Sequence, residues 1–408
     1  MTVMLRDIIA LLAPSFVQGD LRTRIVGVTH DSRKVKPGYM FVAIQGESVD
    51  GHDFIDRALE AGASAVLAVA VPTGAHENVP WITVPDTRLA LGSVSSLVYA
   101  APSRDMTLVG ITGTNGKTTL TFLLEAISSA AGEKPGVVGT ITHRWGGKER
   151  FASNTTPEAS DIQEMLALMR ADGITHVFME VSSHGLHLGR LSGCEFDAGA
   201  FTTLTQDHLD YHGTMDEYYR AKRILFTRLL PSSSKGLALA VVNGDDPYGR
   251  RLMSELEHVP TITYGTSPDL DVYPVAAAVK AEGIDLEVRT KKSRMSVSSR
   301  LTGQFNVSNI LGAIAVAEGI GIADDAITRG IRKVEDVPGR LERVPSDLAT
   351  VFVDYAHTPS ALKNVLKALT TISSGRIVTI MGCGGGHLGR LFGIADASPS
   401  RRSHTRFR

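Results

Sequence analysis

The chain has 408 residues, 43% hydrophobic and 21% charged, with 42 Lys plus Arg against 43 Asp plus Glu. That length exceeds one ordinary core and suits two or three domains, and the 40 glycines fit an α/β class. A net charge of -1 excludes a nucleic-acid surface spread over the whole molecule, and two distant cysteines, Cys194 and Cys383, exclude a disulfide framework and fit a reducing cytoplasm.

The run Ile8 to Val17 has the length of a signal-peptide core, but Asp7 borders it, Pro14 interrupts it and no small-x-small cleavage pattern follows. An amphipathic first helix is expected there. No run approaches about 18 apolar residues, so no membrane span is expected. Short apolar runs at Gly38 to Ala43, Ala65 to Val71 and Trp81 to Val84 alternate with a helical stretch, Phe54 to Ala61, and predict a small mixed domain over residues 1–103.

From Met106 onward the pattern becomes strand, helix, strand. Strands are expected at Thr107 to Thr112, Pro135 to Thr140, Thr175 to Glu180, Ala198 to Thr203 and Leu237 to Val242, with helices at Lys117 to Ala130 and Ser160 to Ala171. This alternation predicts a doubly wound, mostly parallel sheet over residues 104–337. Polar and apolar residues alternate from Val272 to Arg300 around Glu282-Gly283, predicting antiparallel hairpins, and a helix is expected from Asn306 to Ile320. After Pro338-Gly339 a third α/β unit begins with strand Thr350 to Asp354, helix Pro359 to Ile372 and strand Arg376 to Met381. About 70 residues follow the linker, below the usual domain range, and the ending Ser398 to Arg408 lacks apolar periodicity. An incomplete C-terminal domain over residues 338–408 is therefore expected.

The most informative segment is Gly110-Ile-Thr-Gly113-Thr114-Asn115-Gly116-Lys117-Thr118-Thr119, directly after an apolar strand. A strand that empties into a glycine loop opening a helix aims backbone N–H groups and the helix dipole at an anion. Lys117 adds a point charge for outer phosphates, and the Thr118 hydroxyl suits an accompanying Mg²⁺. The common phosphate loop has a glycine where this chain has Ile111, so this is a tighter variant.

Glu180 ends a predicted strand, at the edge where doubly wound folds bind ligands, and would complement Thr118 on Mg²⁺. Its plainer reading is a strand-end carboxylate capping a helix. Asp207-His208-Leu-Asp210-Tyr-His212 gathers acids and imidazoles after another strand, which suits metal ligation or proton handling. Lys222, by periodicity alone, is a surface lysine.

Taken together these residues resemble the Mur ligases, and within them the muramyl-tripeptide synthetases, from about Thr29 to Gly385. The Gly113 to Thr118 loop is shared with folylpolyglutamate synthetases. Asp31-Ser32-Arg33 with Gly51-His52 resembles the uridine-binding part of ligases for UDP-muramoyl substrates, and Asn154 to Glu158 with Glu180 to Leu186 resembles the tripeptide-synthetase signatures.

The resemblance implies an ATP-dependent ligase that adds diaminopimelate or lysine to UDP-N-acetylmuramoyl-L-alanyl-D-glutamate through an acyl phosphate. It implies a UDP-substrate domain, an ATP domain and a C-terminal domain for the incoming amino acid, in a cytoplasmic monomer. Ser32 and His52 would serve the UDP end, and Thr155, Thr156, Ser182 and Arg190 the muramoyl dipeptide. Thr118, Glu180 and His208 would ligate Mg²⁺, and Lys222 would be carbamylated to hold a second one. Lys117, His208 and Lys222 become the catalytic set. Gly113 to Thr119, Asn306, Asn309, Arg340 and Asp354 become the ATP contacts.

Two departures stand out. Thr203 replaces the family's usual Asn, and after Gly382-Cys-Gly-Gly385 the family's Asp-Arg-Asp sequence gives way to Gly386-His-Leu-Gly-Arg390. A truncated or frameshifted tail from about residue 386 is the expectation. Folylpolyglutamate synthesis leaves Asp31-Ser-Arg33 and Thr155-Thr156-Pro157 unexplained, and a binder without turnover is the reading from a different class.

Overall fold

The computed structural model describes residues 2–46, 49–71, 78–346, 349–373 and 375–382. The expected aberrant tail and Cys383 lie outside these residues. The chain forms two compact units, one of Met1–Gly110, Lys134–Gly199 and Ala221–Ala238, the other of Ile111–Glu133, Ala200–Arg220 and Leu239–Arg408.

In the first unit a five-stranded sheet has the order Phe16–Gln18, Trp81–Thr83, Ala65–Ala68, Tyr39–Val42, Gly27–Thr29. The last four strands are parallel and the first is an antiparallel edge. Near-continuous apolar runs mark strands buried on both faces. Met40, Val42, Leu67 and Ile82 pack with Leu5, Ile8, Leu91, Val94 and Val98 from helices Leu5–Leu12 and Thr87–Val98. Phe41, Ala43, Val66 and Trp81 turn to the other face, against Ile55 and Ala58 of helix Ile55–Glu60.

The run Ile8 to Val17 is not one helix. Helix Leu5–Leu12 stops at Ala13, whose φ is 44°, just before Pro14, and Phe16–Gln18 becomes the edge strand. Proline lacks the N–H and clashes with the preceding turn, so the apolar run is divided there.

A second sheet in this unit has the order Lys148–Phe151, Thr142–Trp145, Pro135–Val138, His176–Glu180, followed by the opening residues of Thr107–Thr112 and Ala198–Phe201. Pro135–Val138 and His176–Glu180 run parallel. The hairpin Thr142–Trp145/Lys148–Phe151 was not expected from the sequence. Its signal is Gly146-Gly147, at φ 52° and 77°, the left-handed pair that a tight hairpin turn demands.

In the second unit the ends of Thr107–Thr112 and Ala198–Phe201 are followed by the parallel strands Leu239–Asn243 and Thr261–Tyr264. Helices Lys117–Ala130 and Gln304–Gly319 match their expected spans within two residues. The alternating segment forms the antiparallel strands Tyr273–Lys280, Gly283–Arg289 and Arg294–Ser299.

Beyond the linker, Glu342–Val344 pairs with Val351–Val353, and helix Pro359–Ile372 follows. The expected strand Arg376 to Met381 is not formed. A strand needs a neighbouring ladder and a covered face, and here Val378 and Ile380 are 69% and 92% exposed.

Candidate active site

In the second unit the phosphate loop is held from the strand beside it. Gly113 has φ 146° and Gly116 φ 89°. The Thr202 hydroxyl donates to the Asn115 carbonyl at 2.6 Å and lies 3.2 Å from the Thr112 carbonyl. Thr114 N–H donates to the Thr203 carbonyl at 2.6 Å, while its hydroxyl donates to the Thr205 carbonyl at 3.1 Å.

Lys117 Nζ donates to the Gly113 and Thr114 carbonyls at 2.9 and 3.0 Å, turning these acceptors onto the ammonium. Gly116 caps helix Lys117–Ala130 without a side chain, so the first turn has no side-chain acceptor at its N-cap. A cradle with no room for a Cβ, a fixed ammonium and a helix start capped by glycine suit a nucleotide phosphate chain. Thr118 and Thr119 are buried in that first turn.

Asn306 and Asn309 stand on helix Gln304–Gly319, and Asn309 Nδ2 donates to Asn306 Oδ1 at 2.8 Å. Asn306 in turn donates to the Thr302 carbonyl at 2.7 Å. A Cβ on Gly116 would lie 2.5 Å from Asn309 Oδ1, which puts the asparagine pair beside the loop. Arg340 Nη2 donates to Thr118 Oγ1 at 3.4 Å, and its guanidinium lies 5.2 Å from the Tyr355 ring centroid. Asp354 accepts from the Leu341 and Ala356 amides at 2.7 and 2.8 Å, and burial pushes its carboxyl above the usual range.

His208 adopts a left-handed conformation, φ 51°, and is braced by Asp207, whose Oδ2 is 3.4 Å from Nε2. Its ring packs edge-on to Tyr218 at 6.1 Å, and the buried Tyr218 hydroxyl lies 3.2 Å from Thr114 Oγ1. Tyr218 thus links the histidine-rich turn to the phosphate loop. Sequence reasoning missed it, because a tyrosine inside a helical pattern carries no motif signal.

The first unit holds the residues expected to serve the second substrate. Glu180 is 1% exposed and accepts from Thr140 twice, from N–H at 3.0 Å and from the hydroxyl at 2.8 Å. Thr140 Oγ1 also lies 3.0 Å from Thr155 Oγ1. Thr156 donates to the Glu180 carbonyl at 3.0 Å and accepts from Ser182 N–H at 2.9 Å. Ser182 caps helix Ser183–His187 by accepting from Gly185 N–H at 3.0 Å. Arg190 donates to the Thr156 carbonyl at 3.1 Å. These bonds gather Thr155, Thr156, Glu180, Ser182 and Arg190, with Thr140 as a member that carried no sequence signal.

Ser32 is buried in the turn that Asp31 caps. The Arg33 guanidinium beside Asp31 holds that carboxyl at about 2. His52 Nδ1 is 2.6 Å from Asp50 Oδ1, and its Nε2 accepts from Val69 N–H at 3.2 Å, an arrangement with the proton on Nδ1.

Lys222 is not a surface lysine: it is 1% exposed, just before the π-helical turn Leu225–Leu229. The helix buries this face, a tertiary decision that periodicity did not reveal, and π-turns concentrate at functional sites. Among the described residues, no three His, Cys, Asp or Glu side chains converge to hold a metal ion. The Thr118 hydroxyl, buried in the first turn after the loop, is a hard oxygen of the kind Mg²⁺ takes beside phosphate oxygens.

A glycine phosphate cradle with a fixed lysine, at the end of a strand and the start of a helix in a mostly parallel α/β fold, defines an ATP-dependent enzyme. The family models for the Mur ligase catalytic, middle and glutamate ligase domains match residues 24–99, 111–317 and 339–396. A UDP-N-acetylmuramoyl-L-alanyl-D-glutamate--2,6-diaminopimelate ligase of Geobacter metallireducens is 44% identical over 93% of this chain and 75% of its own length. A solved structure of a UDP-N-acetylmuramoyl-L-alanyl-D-glutamate--2,6-diaminopimelate ligase is 29% identical, covers 97% of this chain and 80% of its own, and superposes with a TM-score of 0.77. A folylpolyglutamate synthase of Mycobacterium tuberculosis, at 19% identity and a TM-score of 0.58 over 70% of each chain, shares the fold alone.

The chain belongs to the Mur ligase family and is an ATP-dependent, amide-forming ligase. No described helix is long and apolar enough to cross a membrane.

Proposed function

We propose that this chain joins diaminopimelate to UDP-N-acetylmuramoyl-L-alanyl-D-glutamate in peptidoglycan synthesis, in the cytoplasm and as a monomer. The observation that carries this reading is the 44% identity, over 93% of the chain, to a ligase of that name. The three family matches support a division into a UDP-substrate domain, a central ATP domain and a domain for the incoming amino acid.

A carboxylate resists attack by an amine because it is charged and resonance-stabilised, so phosphoryl transfer from ATP first makes it an acyl phosphate. The amine then attacks the acyl carbon, and phosphate leaves as the amide forms. Lys117 and the loop amides would hold the transferring phosphoryl group through the charge it develops. Asn306 and Asn309 would meet the adenine side, and Arg340 and Asp354 would complete the nucleotide site. Ser32 and His52 would take the UDP end of the precursor, and Thr155, Thr156, Ser182 and Arg190 its peptide end.

Mg²⁺, when bound, would neutralise phosphate charge, and Thr118, Glu180 and His208 would hold it. Burial of Lys222 supports its carbamylation, in which the neutral amine adds to carbon dioxide, releases a proton and leaves a carbamate whose two oxygens share one negative charge and would hold a further cation. Carbon-13 bicarbonate should give a carbamate resonance that Lys222→Ala abolishes.

The primary test is ADP release with ATP, Mg²⁺ and the UDP-dipeptide, adding diaminopimelate, lysine or no amino acid. Release that depends on diaminopimelate supports the reading. Release that depends on lysine, or on neither, rejects it.

A further inference from the structure

Three segments of the first unit converge on one side chain outside the expected site residues. Asp86 caps helix Thr87–Val98, accepting from the Arg88 and Leu89 amides at 2.9 and 3.0 Å, and so fixes where Arg88 leaves the backbone. The Arg88 guanidinium donates twice to the Gln45 carbonyl, from Nε at 3.2 Å and Nη2 at 3.0 Å. Its remaining nitrogen, Nη1, reaches both Glu158 oxygens at 3.4 Å.

Both contacts lead to residues proposed to take the precursor. Gln45 forms a β-bridge with Asp50, the residue that orients His52. Glu158 lies 2.9 Å from Arg190 Nε, and Arg190 holds the Thr156 carbonyl. Side-chain exposures of 20% for Arg88, 14% for Glu158 and 16% for Arg190 put this charge cluster largely out of water, where its geometry is stiff and removal of a partner is costly.

Two guanidiniums share one carboxylate, leaving a net positive charge. The Arg190 Nε–H has no hydrogen-bond acceptor, since the close Glu158 oxygen is not in line with it. A net positive charge held largely out of water suits an anionic group of a ligand.

We infer that Arg88 is a positioning residue: through Gln45 it sets the His52 end of the pocket, and through Glu158 it sets the Arg190 end, fixing the distance between them for a long ligand anchored at both. This rests on the proposed UDP-dipeptide substrate. A rigid spacing benefits a ligand that spans both ends, because the second contact becomes intramolecular, and does nothing for a ligand that fills one.

Calorimetric titration of the full chain and of Arg88→Gln, Glu158→Gln and the double variant separates the possibilities, with UDP alone and the complete UDP-dipeptide as probes and ATP as a folding control. Each single variant should weaken the UDP-dipeptide about tenfold, equivalent to one charge-assisted hydrogen bond, with UDP and ATP unchanged. The double variant should be no weaker than the worse single one, because both act through one link.

Equal weakening of UDP and UDP-dipeptide would mean a merely structural role and overturn the inference, as would multiplicative effects in the double variant. If the wild type binds UDP-dipeptide and the variants bind it as tightly, this inference alone fails. If the wild type binds neither UDP nor UDP-dipeptide, the substrate reading fails with it.

Discussion

The Thr202 hydroxyl occupies the volume that a side chain on Gly113 would need. Thr202 is also tied to the Thr112 and Asn115 carbonyls, so it cannot turn aside. Gly113 therefore has two reasons to lack a Cβ, its φ of 146° and this overlap. Gly113→Ala should abolish ATP binding measured by calorimetry. Gly116→Ala meets the end of the Asn309 side chain instead, which can move, and should weaken ATP by about tenfold, roughly the cost of placing a non-glycine residue in a left-handed conformation.

Lys117 braces its own loop through the Gly113 and Thr114 carbonyls, and under the proposed function it would also face the phosphates. Lys117→Met keeps the stem and removes the charge. It should lower kcat/KM for ATP by about 100- to 1,000-fold, the scale of a lost transition-state donor, while the affinity for the UDP-dipeptide stays unchanged in a binding titration. A loss below about fivefold would remove Lys117 from the transition state.

Thr203, the departure noted in the sequence, keeps its backbone role because Thr114 N–H needs only its carbonyl. Its hydroxyl is a buried oxygen with no hydrogen-bond partner. Thr203→Val is nearly isosteric and removes that unsatisfied group, so it should raise stability by about 1 kcal/mol. A urea midpoint shifted upward at constant m-value is the expected readout; a downward shift would show that the hydroxyl is satisfied in solution.

Asp31 should govern part of the acid sensitivity of the first unit. Its hydrogen bond and ion pair with Arg33 depress its folded pKa to about 2 from the ordinary 3.8. The native state therefore favours the charged carboxylate, and the unfolded chain binds a proton first as pH falls. Asp31→Ala should cost about 1 kcal/mol at neutral pH, from the lost cap and a solvent-screened ion pair. The difference from wild type should stay flat down to pH 4 and shrink toward pH 2. A difference that is constant across that range would show that the cap alone contributes.

Much of the central fold was legible because its signals are local. The strand Thr107–Thr112 and helix Lys117–Ala130 follow from an apolar run, two glycines and a helical pattern, and each has the span expected of it. The hairpin Thr142–Trp145/Lys148–Phe151 was legible too, through Gly146-Gly147, but went unread.

Other features were decided by contacts between residues far apart in sequence. Pro14 ends the first helix locally, but that Phe16–Gln18 becomes a strand rests on its pairing with Trp81–Thr83. Arg376 to Met381 has strand-like composition, but composition supplies no partner for its backbone.

For the candidate site, the sequence by itself determined which groups are on offer: a glycine loop with a lysine, a strand-end carboxylate, and the hydroxyls and arginine proposed for the precursor. Those depend on residue type and short spacing. Only the tertiary structure decided which groups are buried and which support the others. Lys222 is enclosed, although its helix reads as exposed; Tyr218 reaches Thr114 across 104 residues, and Arg88 reaches Glu158 across 70. Burial and hydrogen-bond partnership are properties of the surface that arrives from elsewhere in the chain, and no local pattern encodes that arrival.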